Sequence, residues 1–285
     1  MKGVQFDYYE STLTDVFDAA PVVHALGGSV LDRGPARRNY PASYAWKVEL
    51  GGTVEVWFGA ELEVHVVLSS SACDQRVDML RRMYPHRVSR ADVAVDFDRA
   101  GYFDEVYPVL HAMAECFKPR PVQTSVAGDW LTPLTSPARG GRTLYLGARK
   151  SPMLFRLYEK GYEQAAKHPD QTFSMDWVRG EFQVRPHSRD KARASAFEPI
   201  EFACLTSFAA GVCLELLGKK FDGNPALRHV PSTDPLYHLV RQYGPALRDA
   251  LRDEPNLTVA ALLDAHAERS PFVSVDLAIE RIRER

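Results

Sequence analysis

Three segments of this sequence alternate apolar side chains with residues that can do chemistry. The segments are SRADVAVDFD from position 89, LFRLYEKG from 154 and WVRGEFQVRP from 177. Because successive side chains of a strand point to opposite faces, each segment would have one apolar and one polar face as a strand. The polar positions are Arg90, Asp92, Asp96, Arg156, Tyr158, Lys160, Arg179, Glu181 and Arg185.

If the three strands share one sheet, these polar faces assemble the parts needed for phosphodiester chemistry. The carboxylates of Asp92, Asp96 and Glu181 would hold a hard divalent cation, Mg²⁺ or Mn²⁺, through oxygen. The phenol of Tyr158 becomes a good nucleophile only when a metal, a base or nearby cations favour the phenolate. Arginine and lysine neutralise backbone phosphates. The alternative explanation is the ordinary polar outer face of an antiparallel sheet, carrying surface salt bridges of little energetic value.

The elements that would carry these residues form two units of similar layout. The first is predicted as a strand at 4–8, a helix at about 12–26, strands at 44–50, 54–58 and 63–69, and a helix at about 73–84. The second is predicted as a strand at 92–97, a helix at 102–117, strands near 122–127, 143–147, 154–159 and 178–186, and a helix at about 199–217. The openings of the two units, VQFDYYESTLTD from Val4 and VAVDFDRAGYFD from Val93, also align.

This layout predicts an α+β fold made of two duplicated antiparallel sheets related by a pseudo-twofold axis. Helices would pack on one face in a saddle-like arrangement, which leaves a concave sheet face for a ligand. The predicted domains are 1–87, 88–228 with the chemistry, and 229–285. The last is a small helical element interrupted by Pro235, Pro255 and Pro271.

Composition restricts the class of protein. The chain has 285 residues and a net charge of −2, and no apolar run approaches the roughly 20 residues of a membrane helix. No segment of signal-peptide type is seen at the start, so a cytoplasmic protein without membrane contact is expected. Four isolated cysteines indicate buried reduced thiols. Residues 139–193 carry an excess of six positive charges in this acidic chain, as a local polyanion site would.

Four sequence blocks resemble the phage and plasmid replication initiation factor family, also called Rep_trans. The blocks, within roughly residues 88–186, are Arg90-x-Asp92 with Asp96-Phe97, Thr143-x-Tyr145-x-Gly147 with Ser151, Arg156-x-Tyr158-x-Lys160, and Arg179-x-Glu181. The family includes rolling-circle initiators of small plasmids, relaxases of some conjugative elements and initiators of filamentous phages. Ala148 departs from the serine that the family often has.

The resemblance implies a metal-dependent enzyme that nicks and rejoins one strand of origin DNA. Tyr158 would attack the strand, form a 5′-phosphotyrosyl link and free a 3′-hydroxyl for polymerase, with Lys160 and Arg156 near the scissile phosphate. The metal ligands would be Asp92, Asp96 and Glu181. Expected DNA contacts are Arg142, Arg149, Lys150, Ser151, Arg179 and Arg185. The implied partner is origin DNA, single-stranded or supercoiled; a host helicase and a second copy of the chain are further candidates.

Alternatives remain within and beyond this interpretation. Tyr145 and Tyr162 compete with Tyr158 for the role of nucleophile. The His-x-His metal motif of other nickases is absent from the sequence, which favours a site built from carboxylates. A DNA-binding regulator without catalysis is the main rival, although carboxylates that face DNA would repel phosphate. An unrelated structural or capsid-associated phage protein would require the four blocks to match by accident.

Overall fold

The computed structural model describes residues 3–59, 61–118, 120–136 and 138–218. Ten strands are formed by these residues: β1 (Gln5–Leu13), β2 (Arg33–Gly34), β3 (Ala42–Lys47), β4 (Thr53–Gly59), β5 (Leu62–Ser69), β6 (His86–Asp98), β7 (Thr124–Gly128), β8 (Arg142–Leu146), β9 (Met153–Glu159) and β10 (Trp177–Val184). The α-helices in the same part of the chain are α1 (Ala19–Ala25), α2 (Arg76–Met83), α3 (Tyr102–Cys116), α4 (Lys160–Lys167), α5 (Pro199–Ala203) and α6 (Ser207–Leu217).

All ten strands belong to one antiparallel sheet in the order β2-β3-β4-β5-β1-β6-β10-β9-β8-β7. The prediction of two separate sheets is therefore wrong. The reason is that β1 and β6 pair with each other from Gln5↔Ala94 to Leu13↔His86, which joins the two units edge to edge. We call β1–β5 with α1 and α2 the N-terminal half, and β6–β10 with α3–α6 the C-terminal half.

The two halves have the same strand order read outward from the centre of the sheet. In each half, the first strand lies at the centre of the sheet and its last strand lies next to it. The remaining strands then follow toward the edge in reverse chain order. Gln5 pairs with Ala94, and these two residues are equivalent when the sequence openings at Val4 and Val93 are aligned. A twofold axis that relates the halves must pass through a pair whose two residues are equivalent to each other, as these are. This is the arrangement that a duplication predicts, and the duplication itself stays a prediction.

One face of the sheet carries the hydrophobic core. Alternate strand residues, such as Phe155 and Leu157 of β9 and Phe182 of β10, are fully buried and pack in one cluster with apolar residues of α1, α2, α3, α5 and α6. Helices on one face were predicted, and α4 is the exception: none of its residues belongs to this cluster. The alternation sends Arg156 and Tyr158 to the opposite side, which we call the open face.

Several predicted boundaries move for local reasons. The helix expected at 12–26 begins only at Ala19, since Thr12 and Leu13 continue β1 and pair with Arg87 and His86. The side chain of Asp18 caps α1 by accepting a hydrogen bond from the Ala20 amide at 3.0 Å. The helix expected at 199–217 is divided into α5 and α6, because the Thr206 side chain caps a new helix start. β2 and α4 are absent from the prediction.

Other expectations concern the ends and the cysteines. The predicted C-terminal helical element at 229–285 lies outside the described residues. No helix within the described ranges is both long and apolar enough to cross a membrane. All four cysteines are free thiols; three are buried as predicted, whereas Cys116 at the end of α3 is exposed.

Candidate active site on the open face

A cleft of about 560 Å³ lies on the open face of the C-terminal half. Its floor is formed by β6, β10, β9 and β8, with β1 and α4 contributing further residues. The predicted site residues that line it are Asp92, Arg142, Arg156, Tyr158, Lys160 and Glu181. The structure therefore gathers the proposed nucleophile, two carboxylates and several cations around one opening.

Tyr158 lies near the C-terminal end of β9, opposite Arg179 of β10 and Thr143 of β8. Its hydroxyl donates a hydrogen bond to Oε2 of Glu181 at 3.1 Å. Burial raises the pKa of Tyr158 well above its ordinary value, the negative charge of Glu181 raises it further, and the nearby Arg179 acts in the opposite direction. The resting side chain is thus a neutral phenol whose proton is directed at a carboxylate.

Asp92 and Glu181 converge on Arg156. The Nη2 atom of Arg156 donates to Oε1 of Glu181 and lies 3.5 Å from Oδ2 of Asp92, which Arg90 also binds. Burial and the negative charges of Asp92 and Asp7 together raise the pKa of Glu181 to about 7, against the opposing charge of Arg156. Burial and two neighbouring acids thus outweigh the effect of Arg156 on the pKa of Glu181.

Asp96 lies apart from this carboxylate pair. It accepts hydrogen bonds from Nε and Nη2 of Arg179 at 2.7 and 2.8 Å and from Nε1 of Trp177 at 2.8 Å. Four strand residues, roughly 13 Å, separate it from Asp92 along β6. Nowhere in the described part of the chain do three or more His, Cys, Asp or Glu side chains form a group that could hold a metal ion. Of the three expected ligands, Asp92 and Glu181 thus form a pair, and Asp96 lies apart from them.

Lys160 is the first residue of α4, although the alternation pattern grouped it with Arg156 and Tyr158 on the polar face of the strand. Its Nζ lies 2.5 Å from Oε2 of Glu163 and 5.4 Å from the centre of the Tyr158 ring. The start of α4 packs closely against the backbone at Ser174, because an added Cβ on Gly161 would lie 1.9 Å from the Ser174 carbonyl oxygen. Lys160 is therefore held beside the tyrosine by a helix start.

Arg142 and Arg179 were expected to contact DNA, but both bind carboxylates of the protein itself. Arg142 borders the cleft, but its guanidinium lies on the helix-covered side, where it donates to Asp104 at 2.7 and 2.9 Å and to Glu159 and lies over the Phe103 ring. Arg179 is buried and bound to two aspartates. Because their donors are used inside the protein, both residues organise the structure in this conformation and offer little to a phosphate.

The remaining expected DNA contacts cluster at the turn between β8 and β9. Arg149 and Lys150 are exposed, Ser151 uses its hydroxyl within the turn by donating to Ala148 and Met153 carbonyl oxygens, and Arg185 donates to the Arg149 carbonyl oxygen at 3.3 Å. This turn lies at the other end of β9 from Tyr158, roughly 20 Å away for six strand residues. These cations can reach flanking DNA but not the phosphate that Tyr158 would attack.

The cleft also contains residues that the sequence interpretation did not assign. Asp7 and Tyr8 of β1 line it, as do the competing tyrosines Tyr145 and Tyr162. Asp7 binds Nη1 of Arg179 at 2.8 Å. The alignment of the two sequence openings could have identified Asp7, because it places Asp7 at the position of Asp96.

Comparison with known proteins shows a matching family and a similar solved structure. The model of the replication initiation factor family, Rep_trans, matches residues 86–214. A solved rolling-circle replication initiator protein from Geobacillus stearothermophilus is 20% identical, with 68% of this chain and 78% of that chain covered at a TM-score of 0.46. No curated protein matches the chain in sequence. The resemblance drawn from the sequence blocks is confirmed over residues 86–214, which carry the signature of the replication initiation factor family.

Proposed function

We propose that this protein initiates rolling-circle DNA replication by nicking one strand of origin DNA with Tyr158 as the nucleophile. The observation that carries the proposal is the hydrogen bond from the Tyr158 hydroxyl to Glu181 inside a cleft lined by cations and open to solvent. A tyrosine needs a proton acceptor and compensating positive charge to attack phosphorus. Glu181 provides the acceptor, and Arg179, Arg156 and Lys160 surround the oxygen with positive charge.

The cleavage step follows from these positions. The Tyr158 oxygen forms a bond to phosphorus while its proton passes to Glu181, and the bond from phosphorus to the 3′ oxygen breaks. The 3′ oxygen takes a proton from water and becomes the hydroxyl that primes synthesis, and the protein keeps the 5′ phosphate as a tyrosyl ester. Reversal with another 3′-hydroxyl rejoins the strand. Arg156 has a buried Nε without a partner among the described residues, a donor suited to a phosphate oxygen.

The carboxylate pair fits a divalent cation of the Mg²⁺ or Mn²⁺ type. Two buried carboxylates converge on Arg156, although Arg90 also binds Asp92, and the pKa of Glu181 is raised. Such a pair would gain from a cation, and Mg²⁺ commonly binds through one or two carboxylates plus substrate phosphates. Asp92 and Glu181 would hold the ion, whereas Asp96 would support Arg179. When bound, the cation offsets the charge that develops on the phosphoryl oxygens.

DNA would enter along the open face of the C-terminal half. Arg149, Lys150 and Arg185 are proposed to contact the flanking strand, and Arg90 and Lys167 line the cleft itself. The alternative of a non-catalytic DNA-binding regulator is less well supported, because paired carboxylates beside a tyrosine repel phosphate and bring no benefit to a binder. A helicase partner and dimer formation stay predictions.

Covalent capture tests the proposal. A single-stranded oligonucleotide library of randomised sequence is incubated with the full chain and Mn²⁺, and protein–DNA adducts are resolved on denaturing gels. We expect an adduct that Tyr158→Phe abolishes. Tyr9→Phe is the matched control, since it also removes a buried, hydrogen-bonded tyrosine hydroxyl, but one bound to His86 in the core.

Two outcomes would contradict the assignment. Adduct formation by Tyr158→Phe that disappears instead in Tyr145→Phe or Tyr162→Phe would move the nucleophile to another tyrosine of the cleft. Binding of the library without any adduct from the wild-type protein would favour the regulator.

A further inference from the structure

Arg179 is a buried arginine held by two aspartates from different halves of the molecule. Its Nε and Nη2 atoms bind Asp96 of β6 in a bidentate manner, and its Nη1 atom binds Asp7 of β1 at 2.8 Å. The side chain is 7% exposed. Because Arg179 is also the cross-strand neighbour of Tyr158, its guanidinium is fixed between the aspartates and the proposed nucleophile.

Asp7 reaches Arg179 because of an irregularity in β1. Phe6 pairs with Val93 and Tyr8 with Asp92, so two consecutive β6 residues face a three-residue stretch of β1 and Asp7 has no partner in the ladder. An extra residue of this kind changes the direction of a side chain, and such bulges are frequent beside active sites. Here the bulge directs Asp7 toward Arg179. The first half of the sheet thereby contributes to a cleft whose other main residues lie in the segment 86–214.

We propose that Asp7 is a positioning residue for strand cleavage, which acts by holding Arg179 beside Tyr158. The inference rests on the proposed function of Tyr158. It means that the C-terminal half carries an incomplete site, and that the strand β1 from the N-terminal half completes it. Asp96 fixes two donors of Arg179 in one plane; Asp7 fixes the third and prevents rotation of the guanidinium away from the phenol.

The test compares Asp7→Ala with a matched variant on the other face of the sheet. Arg142 is also buried and also bound by two carboxylates, so Asp104→Ala removes one partner and leaves Glu159, just as Asp7→Ala removes one partner of Arg179 and leaves Asp96. The rate of adduct formation is measured at saturating oligonucleotide together with the oligonucleotide Kd and the melting temperature.

We expect Asp7→Ala to lower the saturated rate by about 10- to 100-fold, the range that misplacement of a catalytic group costs, with the Kd changed by less than about threefold. Asp104→Ala should leave the rate unchanged. Asp7→Asn, whose amide oxygen still accepts the hydrogen bond from Arg179, should recover most of the lost rate. In the background of Arg179→Lys, removal of Asp7 should have no further effect, since residues that act through one another are not additive.

Three results would overturn the inference. The first is an unchanged rate in Asp7→Ala. The second is a fall in rate that Asp104→Ala shares at equal loss of melting temperature, which would indicate a structural role. The third is a further fall when Asp7→Ala is added to Arg179→Lys, which would mean that Asp7 acts by another route. Absence of any wild-type adduct overturns the nicking proposal and this one together, whereas the three results above leave the nicking proposal intact.

Discussion

Two buried glutamates lie on the open face, one in each half. They have similar partners, but their pKa values are shifted in opposite directions. Glu10 binds Arg38 at 2.7 Å and accepts from the Tyr8 hydroxyl at 3.2 Å; Glu181 binds Arg156 and accepts from Tyr158. Burial raises the pKa of both carboxyls. For Glu10 the hydrogen bond and charge of His65, with Arg38 and Tyr8, outweigh burial and lower the pKa to about 2.

The difference comes from the neighbours beyond the glutamate, arginine and tyrosine. Glu10 has a histidine at 3.2 Å, whereas Glu181 has two further acids, Asp92 and Asp7, which together with burial raise its pKa to about 7. The surroundings also differ: Arg38 and Tyr40 from a loop bind onto the Glu10 region, while the Glu181 region opens into the cleft. A balanced, covered cluster suits structure, and an unbalanced, open cluster suits a ligand.

The largest expected effect is a loss of nicking activity when Glu181, but not Glu10, is replaced by glutamine. Glu181→Gln should reduce adduct formation by at least about 100-fold, as loss of a group that stabilises the transition state does, because the amide cannot accept the Tyr158 proton. Glu10→Gln should keep the nicking rate but lower the free energy of unfolding by about 1–3 kcal/mol, since a buried, hydrogen-bonded charge is lost. Adduct rates and chemical denaturation measure both. Equal loss of activity in the two variants would remove the distinction.

A second prediction concerns cation binding in the absence of DNA. Mn²⁺ at 10–100 times its Kd should stabilise the folded protein by about 1–3 kcal/mol, measured as a rise in melting temperature. Asp92→Asn and Glu181→Gln should abolish this rise. Asp96→Asn and Glu10→Gln should preserve it, because neither carboxylate belongs to the converging pair. A rise that depends on Asp96 to the same extent would restore the three-ligand site expected from the sequence.

The pH dependence of stability should have opposite signs in the two regions. The Glu181 pKa in the folded protein, about 7, lies above its unfolded value, so its contribution to stability is fully present below pH about 4.5 and is lost as the pH rises through about 7. The Glu10 pKa, about 2, lies below its unfolded value, so its contribution is present above pH about 4.5 and is lost as the pH falls toward about 2.

Denaturation of the wild type and the two glutamine variants between pH 3 and 8 tests these signs. The stability difference between the wild type and Glu181→Gln should fall as the pH rises, whereas the difference for Glu10→Gln should fall as the pH drops. Parallel curves for the two variants would show that the halves are electrostatically alike.

The sequence predicted which side chains share a face better than it predicted how the sheet is assembled. Alternation alone placed Arg156, Tyr158 and Glu181 on one face, since side-chain direction in a strand is a local property. The continuous sheet depends on pairing between β1 and β6, residues about 80 positions apart, and no local pattern specifies such a pair. The same holds for Asp7, whose direction follows from a bulge in that pairing.

Burial separates the arginines that the sequence grouped together as DNA contacts. Arg142, Arg149 and Arg179 all read as basic residues in a basic segment, yet only Arg149 is exposed. Whether an arginine faces solvent or pairs inside depends on distant carboxylates, such as Asp104 on α3 for Arg142 and Asp7 on β1 for Arg179. A count of charges along the sequence cannot distinguish an exposed arginine from one that is paired inside the protein.

The smallest predicted effect tests whether the Glu10 cluster is balanced by more than one ion pair. The Arg38 side chain is 65% exposed, so its bond to Glu10 is screened by water and salt. Arg38→Ala should therefore lower the free energy of unfolding by no more than about 1 kcal/mol, with a smaller loss at high salt. Alanine is the suitable substitute, because Arg38 has a φ of +47° and glycine would also relieve backbone strain.

A loss above about 2 kcal/mol in chemical denaturation would mean that Glu10 depends on Arg38 as Glu181 depends on Arg156. The contrast between the halves would then reduce to the covering loop alone.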